Sequence, residues 1–429
     1  MTSSHDGGPL DTSPPESSIA SRFARRPRQL AEVVRRDGLR VVTGTALSRG
    51  GQRLLSGAQP FDLDVRTDHI LAPTVPELAA PVRGADEPLT INWVTNPPSE
   101  GSGGMGTLMR SIGLLEARGH TCRIYVMYQG ARRDLDRDTA ACRQRFPLVR
   151  AVIADVARGM EPADAVFATA WPTAYVVRAS ATPGRRFYFV QDFEPMFYPT
   201  SSNSVLAEET YRFGFHGVTA GPWLAGKLER EYGMSSDSFD LGVDLDCYRF
   251  DDLTRRDGIV FYARPDTARR GFELGMLALE LFARENPAID IHLIGQDIRW
   301  HRPTFRYVNH GTLSPPELAA VYNRCSAGLV LSLTNLSLLP AELLASGCVP
   351  VMNDGENTRA SFDNPYARFV PPNPEGLARS LTEIVRDPDP AASRAGGAAS
   401  VGPRSWDLVG DQLEQGIRRG LRLAAMSSD

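Results

Sequence analysis

Four stretches of the chain carry side chains that could do chemistry. Glu342 is the only acid in LSLTNLSLLPAELLASGCVPV (331–351), and it is set among Leu338, Leu339, Leu343 and Leu344. A charge is costly to bury without a partner, so Glu342 is either exposed on its helix or aimed at a ligand, where it could accept from two ribose hydroxyls. Amides around Ser337, Leu338 and Leu339 at the helix start would add donors for a phosphate, and Pro340 suits a first turn. Arg264 and Arg270 flank the loop ARPDTARRG after the apolar run IVFYA, with Arg269 as a rival for the second role. Two guanidiniums between a strand end and a helix start suit a diphosphate; the alternative is a solvated loop. Asp192, in QDFE after RFYFV, is either a turn cap or a carboxylate that contacts a substrate hydroxyl or takes its proton. GSGGMG (101–106) matches G-x-G-x-x-G. The loop before it and the lack of an acid after the next strand argue against a dinucleotide, so the stretch reads either as a flexible glycine turn that lets the backbone approach a ligand and presents helix N-terminal amides to it, or as a purely structural turn.

These groups need a scaffold that brings strand ends together. From residue 88, apolar runs of strand length alternate with helical periodicity. Strands are expected at Ile91–Thr95, Arg123–Tyr128, Asp164–Thr169 and Arg186–Gln191, with a helix over Gly104–Arg118. After the loop LGVDLDCYRF the alternation restarts with strands at Gly258–Ala263, Ile289–Gly295, Phe305–Val308, Ala327–Ser332 and Val349–Met352. Helices are expected over Leu224–Tyr232, Phe272–Arg284, Pro315–Asn323, Glu375–Arg386 and Trp406–Leu423, and from about Leu338. Such alternation predicts parallel sheets covered on both faces. The expected organisation is an α/β chain of two Rossmann-like, doubly wound domains, 88–235 and 236–403, with 404–425 returning to the first. Ligands of such sheets bind at the carboxyl ends of the strands, here in the cleft between domains. Residues 1–17 read as a disordered tail, 18–87 as a basic extension and linker, and 387–403 as Pro, Ala and Gly rich.

Composition narrows the function class. The net charge of -4 gives no overall pull towards nucleic acid. The five cysteines are scattered, with no CxxC, as expected of small buried residues in a reducing compartment. No Ser-His-Asp order or HExxH motif appears, and no metal is expected. No apolar run approaches the about 20 residues of a membrane span, and the N-terminus lacks the order of a signal peptide. A cytosolic protein is expected. Residues 18–60 carry nine Arg against two acids, with apolar residues interleaved; such a segment either packs as a solvated helix or lies on an anionic membrane face.

Taken in order, the motifs over roughly residues 88–421 resemble the retaining GT-B glycosyltransferases of the family-4 type. GSGGMGTLMRSIGLLEARGHTCRIYV is similar to that family's glycine loop and first helix. LGVDLDCYRF resembles its crossover between domains, IVFYARPDTARRG its diphosphate-gripping strand and basic pair, and IHLIGQD with VNHGTLSPPELAAVYNRCSAGLVLS its base-binding part. PAELLASGCVPV resembles the segment bearing the ribose-binding Glu, and RSWDLVGDQLEQGI the final helix that crosses back. YFVQDFEPMFYP and LTNLSLLPAELLASG look most like bacterial surface-glycan rhamnosyltransferases. The resemblance implies that Glu342 binds the donor ribose, that Arg264 and Arg270 neutralise the leaving diphosphate, and that Gly103 and Gly104 lie near donor phosphate and acceptor. The family carries a further acid eight residues before the ribose Glu; here that position is Thr334, followed by Asn335. A neutral loop there suits a 6-deoxyhexose and also fits other sugars. The implied substrate is a nucleotide sugar, with dTDP-rhamnose one candidate, and the implied acceptor is a glycan or lipid-linked glycan. The rival readings are a glucosyl or mannosyl transferase and a non-catalytic GT-B binding or scaffold subunit.

Overall fold

In the computed structural model, the described residues are 61–426 apart from 79–82, 85, 99–102, 130–132, 253–255, 300, 302, 389 and 403. The basic segment 18–60 lies outside them, as do Gly101 and Ser102. From Leu63 onwards, two parallel sheets organise the chain.

The first sheet contains β1 (Thr90–Thr95), β2 (Thr121–Val126), β3 (Val152–Asp155), β4 (Ala165–Ala168), β5 (Arg185–Val190), β6 (His216–Ala220) and β7 (Ser236–Phe239), in the order β3-β2-β1-β4-β5-β6-β7. The second contains β8 (Gly258–Tyr262), β9 (Asp290–Ile294), β10 (Val308–Gly311), β11 (Cys325–Val330), β12 (Val349–Asn353) and β13 (Arg368–Val370), in the order β10-β9-β8-β11-β12-β13. All pairings are parallel. Both are Rossmann orders that reverse direction next to their first strand, between β1 and β4 and between β8 and β11. These are the switch points where such sheets receive ligands.

The sequence explains the layering. Central strands such as β6 and β11 are buried along their whole length, as expected when helices cover both faces. Edge strands are not: VIAD, SDSF, VNHG and RFV are mostly half-exposed. The helices that position site loops are α1 (Thr67–Leu71), α2 (Gly103–Ala117), α3 (Leu135–Arg145), α4 (Trp171–Ala179), α5 (Ser202–Glu209), α6 (Pro222–Tyr232), α7 (Phe272–Glu285), α8 (Pro315–Arg324), α9 (Leu339–Ala345) and α10 (Glu356–Ser361). They are followed by α11 (Pro374–Val385), α12 (Pro390–Ser400) and α13 (Trp406–Met426). Val409, Leu413 and Ile417 of α13 join Trp93, Phe187 and Phe189 in the core of the first sheet. Arg118 beyond α2 fixes the helix by a 2.7 Å ion pair to Asp411. The final helix thus returns to the first domain. The two chain passages between domains bond one another, Val243 N donating to Arg404 O at 2.8 Å.

Several elements differ from the sequence reading. Residues 63–78 do not form a free linker. Val65 is fully buried with Trp171 and Tyr175, Arg178 donates to Ile70 O and Ala72 O, and Glu77 pairs with Arg185 at 3.0 Å. Residues 390–400 form α12, because Ala supports a helix despite the neighbouring glycines. The short strand expected at Phe305–Val308 lies at Val308–Gly311. β3, β6, β7 and β13 had no expected counterpart.

One close approach has a testable cost. A Cβ on Gly275 in α7 would fall 2.2 Å from Phe261 Cζ in β8, so α7 sits against the sheet only because this residue has no side chain. Gly275→Ala is expected to destabilise the protein by about 1–3 kcal/mol through overpacking, read as a lower midpoint in urea denaturation.

Candidate functional site

The carboxyl ends of both sheets supply the candidate residues. On the second domain, the turn after β8 carries Arg264, Arg269 and Arg270. Gly271 then adopts a left-handed φ of 57° that begins α7, a conformation that favours glycine. The Arg270 guanidinium donates to Ser332 Oγ at 2.7 Å and to Asn335 O at 3.4 Å, so it is held by the loop after β11. Burial pulls its pKa below the ordinary value, with the nearby Asp192 opposing that shift. Arg269 turns towards the first domain. Its Nε donates to Asp192 Oδ2 at 3.2 Å, and its guanidinium lies 3.9 Å from the centre of the Phe197 ring, a favourable cation–π distance. Arg264 lies near the Tyr262 ring, 5.8 Å from its centre. Gly295 makes room for both, since a Cβ there would meet Tyr262 and Arg264.

The loop Ser332–Leu338 is clamped from several sides. Asn353, at the end of β12, donates to Ser332 O and accepts from Ser332 N. Asn357 donates to Ser332 O and Thr334 O. Thr334 is only 1% exposed. Among the described residues, its Oγ1 and Ser337 Oγ have no hydrogen-bond partner, which is unusual for buried polar atoms. Asn335 is bonded on all sides: its amide N donates to Asp192 Oδ1 at 2.8 Å, and its side chain donates to Gln191 O and Ala220 O.

Glu342 lies in the first turn of α9, after Leu338, Leu339 and Pro340. Burial pushes its carboxyl up to about 7, against the opposing influence of Arg110 and a bond from the Tyr248 phenol. Tyr248 is itself stacked on Tyr322, with ring centres 5.9 Å apart. Arg110 belongs to α2 of the first domain and approaches Asp244 of the crossover at 4.0 Å. The neighbours of Glu342 are therefore not the arginines of the turn after β8.

On the first domain, Gly103 and Gly104 open α2 after β1. A Cβ on Gly104 would lie 3.5 Å from the Gln191 amide, so this helix start sits beside the end of β5. Asp192 follows directly, 8% exposed, and three protein donors occupy its carboxylate: Phe193 N, Asn335 N and Arg269 Nε. The structure thus brings Asp192, Asn335, Arg270 and Arg269 into one network and places Gly104 next to it. The sequence did not single out Gln191, Tyr248, Asn353 or Asn357. Asn353 and Gln191 could have been found by the strand-end rule; no local pattern marks Tyr248 or Asn357.

Glu194, two residues after Asp192, is a further group that the sequence reading passed over. Its Oε2 accepts from Trp171 N at 2.6 Å, which ties the turn after β5 to the start of α4. Burial pushes its carboxyl up to about 8. A raised folded-state value favours the protonated acid, so the stability it contributes at low pH is lost as pH rises from the ordinary carboxyl range through about 8. Glu194→Gln, which keeps the acceptor oxygen, is expected to remove that decline. Urea midpoints of parent and variant across pH 4.5–8.5 should converge at the acid end and separate, variant higher, at the alkaline end.

Comparisons with known proteins agree with this architecture. Residues 151–219 match the family model described as the WsaF N-terminal domain, and residues 257–382 match the WsaF C-terminal domain. The chain is 28% identical over 393 residues to the O-antigen biosynthesis protein RfbC of Myxococcus xanthus, covering 88% of this chain and 31% of that protein. It therefore spans about a third of the length of this curated relative. Among solved structures it is similar to sucrose-phosphate synthase from Thermosynechococcus elongatus, with a TM-score of 0.59 and 12% identity over 79% of this chain and 100% of the other. It is also similar to Anabaena HepE in complex with UDP and glucose, with a TM-score of 0.58 and 12% identity over 76% and 98%. The chain has the GT-B fold, two parallel-sheet α/β domains of seven and six strands, and carries segments that match the N-terminal and C-terminal domains of WsaF.

Proposed function

We propose that this chain is a glycosyltransferase of surface-glycan assembly, moving a sugar from a nucleoside diphosphate to a glycan hydroxyl. The observation that carries the reading is the second domain's switch point, where the turn after β8 that bears Arg264, Arg269 and Arg270 is joined to the loop after β11 by the bonds of Arg270 to Ser332 Oγ and Asn335 O, with Glu342 farther along that segment on α9. In this reading Glu342 accepts from the two ribose hydroxyls, and amides from Ser337 to Leu339 with Arg264 and Arg270 receive the diphosphate. Negative charge grows on the diphosphate as the glycosidic bond breaks, and preplaced guanidiniums lower that barrier electrostatically. The acceptor attacks on the leaving-group face, its proton passing to a phosphate oxygen, so the sugar keeps its configuration and the chain needs no nucleophile of its own. Gly103 and Gly104 border the acceptor side.

The match to WsaF domains and the likeness to an O-antigen biosynthesis protein support the glycan assignment. The donor sugar we propose is a 6-deoxyhexose such as rhamnose, carried on dTDP. Thr334 stands where an acid would bind additional hydroxyls, and its buried hydroxyl and that of Ser337 are the loop's unused hydrogen-bonding groups. A glycan on a lipid carrier would bring the enzyme to the membrane, where residues 18–60 would contact anionic headgroups. Among the described residues, no helix is long and apolar enough to cross a membrane. Incubation of the purified chain with a panel of dTDP-, UDP- and GDP-sugars, read by mass spectrometry for released nucleoside diphosphate, tests the assignment. Turnover of dTDP-rhamnose supports it; turnover of a glucosyl or mannosyl donor alone replaces the sugar. Failure to bind any of the nucleotides in calorimetry favours a scaffold subunit.

A further inference from the structure

We propose that Asp192 and Asn335 form a clasp between the two domains, and that Asn335 is a positioning residue with no contact to the donor. The catalytic consequence rests on the function proposed above; the clasp itself does not. Asn335 belongs to the loop after β11 of the second domain, is 2% exposed, and has every polar group engaged. Its backbone N–H donates to Asp192 Oδ1 at 2.8 Å, and its carbonyl accepts from Ser332 Oγ at 2.5 Å and from Arg270 at 3.4 Å. The two side-chain amide hydrogens reach Gln191 O at 2.9 Å and Ala220 O at 3.0 Å, and Oδ1 accepts from Ser361 Oγ at 3.3 Å.

The geometry accounts for the residue type. β5 and β6 are parallel neighbours with Val190 opposite Thr219, so the next carbonyls, Gln191 O and Ala220 O, end the two strands side by side. A primary amide can donate to both, whereas Asp offers no donor and Ser is too short and has one. Asp192 completes the link, because it accepts from Asn335 and Arg269, both on the second domain. Separating the domains would strand buried donors and acceptors on each side, which is costly. Arg269 is therefore held by Asp192 only while the clasp is closed, and the loop that bonds Arg270 is the one that Asn335 ties to the first domain. The three donors on Asp192 suit this role better than that of a proton acceptor. The clasp would delay activation of the donor until the acceptor-side domain is in place.

The test is hydrogen exchange by mass spectrometry on the full chain, comparing the parent with Asn335→Ala and Asp192→Asn. Amides at 191–193 and 332–336 are expected to exchange about tenfold faster or more in both variants, while the interiors of β5 and β11 keep their protection. kcat is expected to fall about a hundredfold, with a smaller change in KM, as misplaced rather than missing groups would produce. Unchanged exchange in both segments overturns the clasp. So does an Asp192→Asn variant that loses turnover without faster exchange, the signature of a base. If Asn335→Ala loses protection throughout, Asp192→Asn, which keeps shape and an acceptor oxygen, decides alone. Calorimetry of the parent with UDP and dTDP separates the two proposals: absence of nucleotide binding sinks the transferase reading, while the exchange result still decides the clasp.

Discussion

Glu342→Ala is expected to weaken nucleotide binding about a hundredfold or more while leaving the fold intact. Two hydrogen bonds from ribose hydroxyls to a carboxylate are worth about 1.5–3 kcal/mol each when the acceptor is charged, and each 1.4 kcal/mol is about tenfold in affinity. Calorimetric titration with UDP and dTDP at pH 8 reads the loss directly. A second measurement separates a binding role from a merely structural one. Burial raises the Glu342 carboxyl to about 7, so its ionised form is disfavoured by the fold above that pH, and stability falls as pH rises from the ordinary carboxyl range through about 7. Glu342→Gln should therefore be more stable than the parent at pH 8 and bind nucleotide more weakly. A structural Glu would show the reverse, lower stability with unaltered binding. Nucleotide affinity of the parent should also climb as pH passes about 7, because only the ionised carboxylate accepts from both hydroxyls, and Glu342→Gln should flatten that climb.

Arg270→Ala is expected to lower kcat by about 100–1000-fold, the loss typical of a preplaced donor aimed at developing negative charge. The change in KM should be smaller, since the charge on the leaving diphosphate is greatest in the transition state. Arg270→Lys should recover only a fraction. Lysine keeps the charge but lacks the planar fork that bonds Ser332 Oγ and Asn335 O. Single-turnover release of nucleoside diphosphate, with unfolding midpoints measured in parallel, is the relevant assay. A variant that turns over at the parental rate removes Arg270 from the diphosphate site. Arg269→Ala gives a useful contrast: its guanidinium is tied to Asp192 and stacked on Phe197, so its loss should act through domain placement and appear in the exchange of 191–193.

The fold is legible in the sequence for most strands that are buried on both faces; β6 is the exception, because His, Gly and Thr in HGVTA leave no apolar run although every residue is buried. TINWV, RFYFV, GIVFY, DIHLI and CSAGLV are predominantly apolar because helices cover both sides of the sheet, and each lies close to its expected place. Of the edge strands only β10 has an expected counterpart, and that one is displaced. SDSF and RFV pair on one side only, so their composition follows solvent exposure and looks like loop. The docked segment 63–78 escaped for a related reason: it is held by scattered contacts of Val65, Glu77 and main-chain carbonyls, which leave no periodic pattern.

For the candidate site, residue type and local position were enough to single out Glu342, Arg264, Arg270 and Asp192, whereas the Thr334–Asn335 pair was marked only by the family resemblance. Partners of those residues came only from the tertiary structure. The sequence could not say that Asp192 faces Asn335, 143 positions away, or that Asn335 turns to the ends of β5 and β6 while Thr334 keeps an unbonded hydroxyl. Nor could it place the Tyr248 phenol on Glu342 or Arg269 over Phe197. The physical reason is that chemistry at the end of a strand is a local property of the chain. Which strand ends meet is set by the order of the sheets and by the packing of one domain on the other, and both depend on contacts between distant residues.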